Sequence, residues 1–359
     1  MSKIAFYAPM KSPNHTVPSG DREMARGVMR ALTDADRGVT AELVSEFRCY
    51  DGKGDEARQD VLIAQAAKEA QGLIETGGWS AWVTYHSYYK APDLLGPSVA
   101  KALGIPYLQI EATRAAKRLG GPWDTFARLA DASCEAANAI FYLTAQDYEG
   151  LQPYEREGQP LVQLHPFLQM DDLPQPTQPE GPTLLSAGMM RHGDKLASYD
   201  ILAQSLRHLK TTNWTLYLAG DGPARAEVEA LFKPYADRVH FLGQLNQAEL
   251  QQAYGKAGAF VWPGVNEAFG MVYLEAQAAG VPVVAQDRAG VRDVVPSSGL
   301  VEQGNLASIA AEIDALFAQE TYWTMRSKQA RDLVQQQHLL GAARTRLWSV
   351  LGPLVEETL

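Results

Sequence analysis

The sequence predicts an α/β protein built from two Rossmann-like, doubly wound domains in tandem, each around a parallel sheet. Two observations carry this prediction. Short apolar runs alternate with amphipathic stretches, as in βαβ units, and the series occurs twice, on either side of a proline-rich stretch. The length agrees, since 359 residues exceed what one hydrophobic core usually organises.

Five apolar runs in each half have the length of strands, and most are followed by a helical pattern. Their order along the chain predicts successive βαβ units and therefore parallel pairing. In the first half the runs are 4–7, 42–45, 81–85, 107–110 and 140–143. In the second half they are 184–187, 215–218, 240–242, 260–262 and 282–285.

The proline-rich stretch predicts the domain boundary. Five prolines fall between residues 166 and 182, a density that opposes both helix and central strand. We therefore expect a first domain over 1–165, a linker over 166–182 and a second domain over 183–340. A C-terminal helix over about 341–359 is expected to pack back on the first domain. Ligands of open α/β sheets bind beyond the carboxyl ends of the strands, so two facing domains predict a cleft between them.

Charge and cysteine usage exclude several functions. The formal net charge is -10 and both halves are acidic, which argues against a nucleic-acid partner. Cys49 and Cys134 lie far apart without a metal-binding spacing, so neither a disulfide framework nor a zinc site is expected. The start of the chain lacks a secretion signal and no run of about 18 apolar residues occurs. We expect a cytoplasmic protein, with attachment to the inner face of a membrane left open.

The stretch over residues 263–283 carries two carboxylates, Glu267 ahead of a predicted helix and Glu275 inside it. Free amides at the helix start and Gly270 suit the approach of an anion. A buried carboxylate is destabilising by several kcal/mol unless it has a partner. Glu275, among alanines, is therefore expected to need a ligand with two donors, such as a ribose diol. On spacing alone, an ordinary pair of helix acids is an equal alternative.

This stretch resembles the nucleotide-sugar signature of glycosyltransferase family 4, the retaining enzymes of GT-B fold among the glycosyl transferases of group 1. The signature has two glutamates separated by seven residues within a pattern that this chain matches over some twenty positions. The resemblance implies that Glu275 binds the ribose hydroxyls and Glu267 a hydroxyl of the donor sugar. It also implies that the amides of Phe269, Gly270, Met271 and Val272 face the sugar and the diphosphate.

Three further loops resemble parts of the same family. Arg191 and Lys195 follow the first strand of the second domain, where the family binds the pyrophosphate with two cations. The spacing between them is one or two residues short, so Lys195 is the less secure assignment. Gly220 lies in a Gly-Asp-Gly-Pro turn, and Gly290 lies in a loop that resembles the one touching the distal phosphate.

The first domain resembles the family more loosely. Gly20 is the expected phosphate-facing glycine after the first strand, with Arg22 as a nearby cation. Many family members place a histidine after the strand that corresponds to residues 107–110, where this chain has Glu111. Either Glu111 takes that place or His86, at the end of the neighbouring strand, supplies the imidazole. A structural polar residue is an equal alternative for both.

Together with this resemblance, the sequence predicts a retaining glycosyltransferase that moves a hexose from a nucleoside diphosphate sugar to a hydroxyl acceptor. UDP is the nucleotide expected first. No cofactor and no metal are expected. The acceptor is left open among a membrane lipid, a saccharide and a small molecule. Aromatic residues between 79 and 89, with Lys90 and the basic residues 114–118, suit a lipid interface or simply a strand and a solvated surface. The alternatives are a nucleotide-sugar epimerase of the same fold and a non-catalytic nucleotide-sugar-binding protein.

Overall fold

The structure is a computed structural model that describes residues 2–17, 19–176 and 179–356. The chain forms two compact units, one comprising the chain up to Gln169 and again from Leu340, and the other Met170–Leu339. Within the described residues each unit contains one six-stranded sheet in which every pairing is parallel. The predicted α/β class with two Rossmann-like parallel sheets is confirmed.

The first unit arranges its strands in the order β2-β1-β3-β4-β5-β6. Its central strand β3 is buried along its whole length, as an apolar run within a parallel sheet should be. The strands are β1 Ser2–Tyr7, β2 Val39–Leu43, β3 Ala81–Tyr85, β4 Tyr107–Ile110, β5 Ala139–Tyr142 and β6 Leu161–Gln163. The helices between them are α1 Gly20–Leu32, α2 Glu56–Thr76, α3 Gly96–Leu103, α4 Asp124–Ala136 and α5 Ala145–Leu151.

The second unit has the strand order β12-β11-β10-β7-β8-β9. Its strands are β7 Thr183–Ala187, β8 Thr215–Ala219, β9 Val239–Gly243, β10 Ala259–Val261, β11 Val283–Gln286 and β12 Leu300–Val301. Its helices are α6 Asp194–Ser205, α7 Arg225–Phe232, α8 Gln247–Lys256, α9 Met271–Ala278, α10 Leu306–Ala318 and α11 Glu320–Gln337. Among the described helices, none combines the length and apolar character that a bilayer crossing requires.

The last helix, α12 (Leu340–Glu356), belongs to the first unit and packs against α1. The guanidinium of Arg37 lies 5.1 Å from the ring centroid of Trp348, and Arg346 Nε donates to the carbonyl of Gln163 at 3.0 Å. The chain therefore leaves the first unit after Gln169 and returns to it at Leu340. Residues 357–359, which the sequence assigned to this helix, lie outside the described residues.

The predicted strands are close to the observed ones, with three differences. The second strand covers Val39–Leu43 rather than 42–45, because Val39 begins the pairing with β1. Strands β6 and β12 were not predicted, since three and two residues are too few to give a period. The unit boundary lies four residues after the expected end of the first domain, and residues 177 and 178 of the expected linker lie outside the described residues.

In each sheet the strand order reverses beside the first strand of the unit. The chain passes from β1 to β2 on one side and then places β3 on the other side of β1. In the second unit it passes from β7 to β8 and later places β10 on the other side of β7. Loops at such a reversal diverge and leave a crevice, which is where doubly wound sheets bind their ligands. The loops after β1, β3, β7 and β10 are therefore the expected positions of bound ligands.

Candidate functional site

In the second unit, the first turn of α6 and the loop after β10 bring Lys195 and Glu267 together. Lys195 Nζ donates to Glu267 Oε1, and the indole Nε1 of Trp262 donates to the same oxygen at 2.9 Å. The carboxylate side chain is 13% exposed and the lysine side chain 28%. Glu267 is thus held by a cation and an indole at the crevice of the sheet, and its other oxygen, Oε2, accepts no hydrogen bond from the described residues.

Buried aromatic residues fix the indole of Trp262. Its ring is fully buried and meets Tyr199 edge-on at 4.9 Å between centroids. The hydroxyl of Tyr199 donates to the carbonyl of Gly188, and that of Tyr273 donates to the carbonyl of Trp262. Trp262 was not among the predicted site residues, because an aromatic residue at the end of a buried strand reads as core. Its position five residues before Glu267 was the one feature of the sequence that could have indicated a place in the site.

Arg191 lies in the loop between β7 and α6, four residues before Lys195. Its side chain is exposed and makes no hydrogen bond or ion pair with the described residues. The loop after β8 holds this loop in place. Met190 N donates to the carbonyl of Asp221, and Ala224 N donates to the carbonyl of Met190. The structure therefore places Arg191 in the loop after β7 and Lys195 in the first turn of α6, which follows that loop. One cation carries no counter-charge and the other is paired with Glu267.

Glu275 lies within α9, as predicted, but its surroundings differ from the expectation. The residue is half-buried rather than enclosed, and its Oε2 accepts a hydrogen bond of 3.0 Å from the hydroxyl of Tyr254. Tyr254 is buried, and its ring packs against Phe260 of β10. The argument that Glu275 is tolerable only with a ligand is therefore wrong, because the protein itself supplies a partner. A role in binding ribose stays a prediction.

The start of α9 follows Glu267 after three residues. Phe269 is buried, Gly270 precedes the helix with φ of +81°, and the helix begins at Met271, with Val272 in its first turn. A Cβ on Gly270 would approach the ring of Tyr273 to 2.7 Å. Only glycine fits this turn, which brings the helix start, with its free amides, within a few residues of Glu267.

The predicted glycines Gly220 and Gly290 are required by contacts between loops. A Cβ on Gly290 would lie 1.8 Å from the carbonyl oxygen of Ala268, and one on Gly220 would lie 1.9 Å from that of Gly188. The first contact fixes the loop that carries Glu267 and the second fixes the loop that carries Arg191. Both glycines therefore support the site through the backbone, and a contact with phosphate stays a prediction for each.

In the first unit, the loops after β3 and β4 and the start of α1 bring together an imidazole and two carboxylates. His86 Nδ1 lies 3.1 Å from Asp21 Oδ1 and 3.5 Å from Glu111 Oε2. The sequence offered Glu111 and His86 as alternatives, whereas the structure makes them neighbours. Asp21, adjacent to the predicted Gly20, was not identified because nothing in the sequence connects the start of α1 with the end of β3.

His86 and Glu111 both adopt left-handed backbone conformations, with φ of 61° and 58°. The sheet causes this, since His86 N donates to the carbonyl of Ile110 and Glu111 N donates to that of Phe141, one residue beyond each strand. Left-handed conformations of such residues cost about 1–3 kcal/mol each and concentrate at functional sites. Asn266, beside Glu267, has φ of 48°, which asparagine tolerates better.

The charges of this cluster shift one another's pKa values. Burial alone would lower the pKa of His86, but Glu111 and Asp21 outweigh it and raise the value to about 9. Burial raises the pKa of Glu111 to about 7, against the lowering effect of His86. Burial also acts to raise the pKa of Asp21, but the hydrogen bond and the charge of His86 leave it lowered. Near neutral pH the cluster therefore combines a charged imidazole with a carboxyl group close to its titration midpoint.

Gly20 is the first residue of α1 and has open space beside it. Ser19 caps this helix by accepting a hydrogen bond from Arg22 N. The side chain of Arg22 is 16% exposed and paired with Glu23, and it also donates to the carbonyl of His15. Its charge is therefore already satisfied within the protein. Pro18, which belongs to the segment quoted for this loop, lies outside the described residues.

Comparison with known proteins gives a family match over part of the chain. Residues 181–319 match the family model described as glycosyl transferases group 1. The D-inositol 3-phosphate glycosyltransferase of Frankia alni is 27% identical over 303 residues, which cover 74% of this chain and 71% of that protein. Other curated relatives match at 33–42% identity, over only 15–26% of their own length.

Two solved structures share the fold over nearly the whole chain. Sucrose-phosphate synthase from Thermosynechococcus elongatus superposes with a TM-score of 0.74 at 18% identity, covering 99% of this chain and 100% of that one. HepE from Anabaena, in complex with UDP, superposes with a TM-score of 0.71 at 15% identity, covering 98% and 100%. Residues 181–319 therefore resemble the group 1 glycosyltransferases, and the two units share the GT-B fold of these solved structures.

Proposed function

We propose that the protein is a retaining glycosyltransferase that transfers a hexose from a nucleoside diphosphate sugar to a hydroxyl acceptor. The observation that carries this proposal is the arrangement at the crevice of the second unit. There Glu267, held by Lys195 and Trp262, lies beside the start of α9 and in reach of the loop that carries Arg191. A hydroxyl-binding carboxylate, two cations and free amides match the parts of a sugar diphosphate.

The donor is proposed to occupy this crevice with its sugar at Glu267. Oε1 of Glu267 is engaged by the protein, so Oε2 is the acceptor available to a sugar hydroxyl. The ammonium of Lys195 has three donors, of which one is used by Glu267. The remaining donors, with the guanidinium of Arg191, would bind the diphosphate. Glu275 would bind the ribose, with Tyr254 fixing one of its oxygens.

The proposed reaction places positive charge where negative charge develops. The bond between the anomeric carbon and the diphosphate oxygen breaks, and the diphosphate leaves with the bonding electrons. The acceptor oxygen forms its bond on the same face of the sugar, and its proton passes to an oxygen of the departing phosphate. Arg191 and Lys195 stabilise the leaving group as its charge grows, which is the step where fixed cations are most effective. Glu267 orients the sugar.

The acceptor is proposed to lie against the first unit, near His86 and Glu111. His86 Nε2 makes no hydrogen bond with the described residues, and the imidazole is 20% exposed. It can therefore donate a hydrogen bond to the acceptor while Asp21 and Glu111 hold its other nitrogen. We propose UDP as the nucleotide, which is the nucleotide bound in HepE, and the experiment below compares it with others.

The test is release of nucleotide from UDP-, GDP- and ADP-hexoses, with EDTA present in a parallel series. We expect turnover with one nucleotide, strongest for UDP, unchanged by EDTA, and lost in Glu267→Gln. Retention is read by proton NMR of the product, whose anomeric configuration should equal that of the donor. Conversion of the donor sugar without an acceptor would show an epimerase. Tight binding without any turnover would show a nucleotide-sugar-binding protein, and either result contradicts the proposal.

A further inference from the structure

We propose that a pocket in the first unit binds a phosphate group carried by the acceptor. The pocket has a volume of about 410 Å³ and lies along the segment that follows β4. Tyr89, Thr113 and the segment from Arg114 to Arg118 line it. It begins two residues after Glu111, so a ligand bound there would extend directly to the cluster of His86, Glu111 and Asp21. The inference rests on the proposed transfer to a hydroxyl acceptor and specifies the class of that acceptor.

Two aromatic rings form a base for the positive charges of this pocket. Tyr89 meets Trp123 edge-on at 5.7 Å between ring centroids. The guanidinium of Arg118 lies 4.8 Å from the ring centre of Tyr89 and 5.4 Å from that of Trp123. The ammonium of Lys90 lies 5.6 Å and 5.7 Å from the same rings. Trp123 is itself fixed, because its indole Nε1 donates to the carbonyl of Asp51 at 3.0 Å.

Three of the four cations in and beside the pocket lack counter-charges. Among the described residues, Lys90, Lys117 and Arg118 form no ion pair, whereas Arg114 is paired with Glu135 at 3.3 Å. Three uncompensated cations therefore lie close together in a chain whose net charge is -10. Contact with an aromatic face stabilises a cation but gives it no hydrogen-bond acceptor. An anionic ligand would supply both the counter-charge and the hydrogen-bond acceptors that these cations lack.

Arg118 supplies an independent observation that points to a ligand. Its side chain makes no hydrogen bond with the described residues, and its Nε is buried. A guanidinium has five donors in a planar fork, and burying one of them without an acceptor is unfavourable. A phosphate has several charged oxygens that fit this fork in a bidentate manner. The geometry therefore fits phosphate better than a neutral sugar hydroxyl.

The pocket is connected to the acid-base cluster through rings in contact. His86 lies 5.1 Å from Tyr88, and Tyr88 lies 5.6 Å from Tyr89, between ring centroids. Trp79, Trp82 and Tyr85, which the sequence grouped with this surface, are buried in the core instead. The surface available to an acceptor thus runs from His86 through Tyr88 to the cations around Tyr89. A phosphorylated sugar or polyol would place its phosphate at one end and its reacting hydroxyl at the other.

The experiment measures binding of glucose 6-phosphate and of glucose to the full chain at low salt by calorimetry. We expect the phosphate ester to bind, glucose not to bind, and Arg118→Met to weaken binding roughly tenfold or more, the typical effect of losing one charged hydrogen bond. Lys101→Met, an exposed cation on α3, is the matched control and should bind as the natural protein does. Arg191→Met should also retain binding, which separates this pocket from the donor cations.

Two further arms decide the source of the phosphate and guard against misfolding. Vesicles of phosphatidylcholine with and without phosphatidylglycerol replace glucose 6-phosphate, since a lipid headgroup carries the same group. Arg118-dependent binding to the vesicles alone assigns a lipid phosphodiester, and binding to the soluble ester assigns a free phosphate; both support the pocket. Arg118→Lys, which keeps the charge, should restore part of the affinity, and thermal melting should show that both variants are folded.

Absence of binding to either source, or equal binding by Arg118→Met, overturns the inference. Its failure is distinct from failure of the proposed function, because release of nucleotide from the donor is measured separately. A protein that binds phosphate through Arg118 but cleaves no donor would keep the pocket and lose the transferase. A protein that cleaves the donor but binds no phosphate would lose the pocket alone.

Discussion

The two units repeat one topology but place different chemistry at the same point of the sheet. In the second unit the crevice holds one lysine-glutamate pair, fixed by an indole and by glycine contacts between loops. In the first unit the equivalent crevice holds a histidine between two carboxylates, with two strained backbones and shifted pKa values. The family model matches residues 181–319 only. On the proposed function, a common donor explains the recognisable second domain and a particular acceptor explains the divergent first one.

Of all the substitutions in the two units, Glu267→Gln is expected to have the largest effect on turnover. Glu267→Gln removes the charge that pairs with Lys195 and weakens the contact with the donor sugar. We expect turnover to fall roughly 100-fold or more at every pH, which is typical when one preorganised polar contact of a transition state is removed. Nucleotide release is the measurement. Glu229→Gln, an exposed acid on α7, is the control, and equal rates in both variants would contradict the assignment.

The next effect is expected at Arg191. Arg191→Met should lower turnover roughly tenfold to 100-fold, since a charged hydrogen bond to the leaving diphosphate contributes about 1.5–3 kcal/mol. The free energy of unfolding should not change, because this exposed side chain has no partner among the described residues. Rates and denaturant titrations together check this. A stability loss with an unchanged rate would show that Arg191 is structural.

Glu111 and His86 of the first unit should determine how the rate depends on pH. The rate should rise as Glu111 ionises near pH 7 and fall as His86 loses its proton near pH 9. Glu111→Gln should remove the limb near pH 7, while Glu267→Gln should leave the profile's shape unchanged at a lower rate. A profile of kcat/KM against pH for the three proteins checks the contrast. A flat profile between pH 6 and 8 in the natural protein would contradict it.

Stability gives a second pH prediction with a defined sign. His86 has a raised pKa in the folded state, so its contribution is complete below its unfolded value of 6.5 and is lost as pH rises through about 9. Glu111 is also raised, from 4.5 to about 7, so the folded state binds more protons there and stability falls between those values. The free energies of unfolding of the natural protein and of Glu111→Gln, measured by denaturant titration, should differ most above pH 7.

The smallest effect is expected from releasing backbone strain in the first unit. Glu111→Gly accepts φ of 58° without penalty and removes a buried carboxyl group. We expect the free energy of unfolding to increase by about 1 kcal/mol while turnover falls. Asn266→Gly, in the second unit, should change stability less, because asparagine already tolerates this conformation. Thermal melting of the two variants and of the natural protein measures both changes in stability.

The sequence located most strands of the two sheets and the polar residues that the structure places at the second crevice, but not the partners of those residues. Strands with strong apolar runs were located closely, and Glu267, Lys195 and Arg191 were identified from one motif and one loop. Trp262, Tyr254 and Asp21 were missed because their contacts join elements that are distant along the chain or lie on opposite sides of a loop. The reasoning about Glu275 failed for the same cause, since a periodic pattern does not show that α8 supplies a tyrosine.

The return of the chain at Leu340 makes the two units unequal as polypeptides. Met170–Leu339 is continuous, so a gene fragment can encode the entire second unit without any rearrangement. The other half is assembled from two separate stretches, and truncation at Gln169 would strip α12 from its packing partner and uncover the apolar face of α1. Producing that half in isolation therefore calls for a circular permutant, in which a short linker joins the last helix ahead of the first strand.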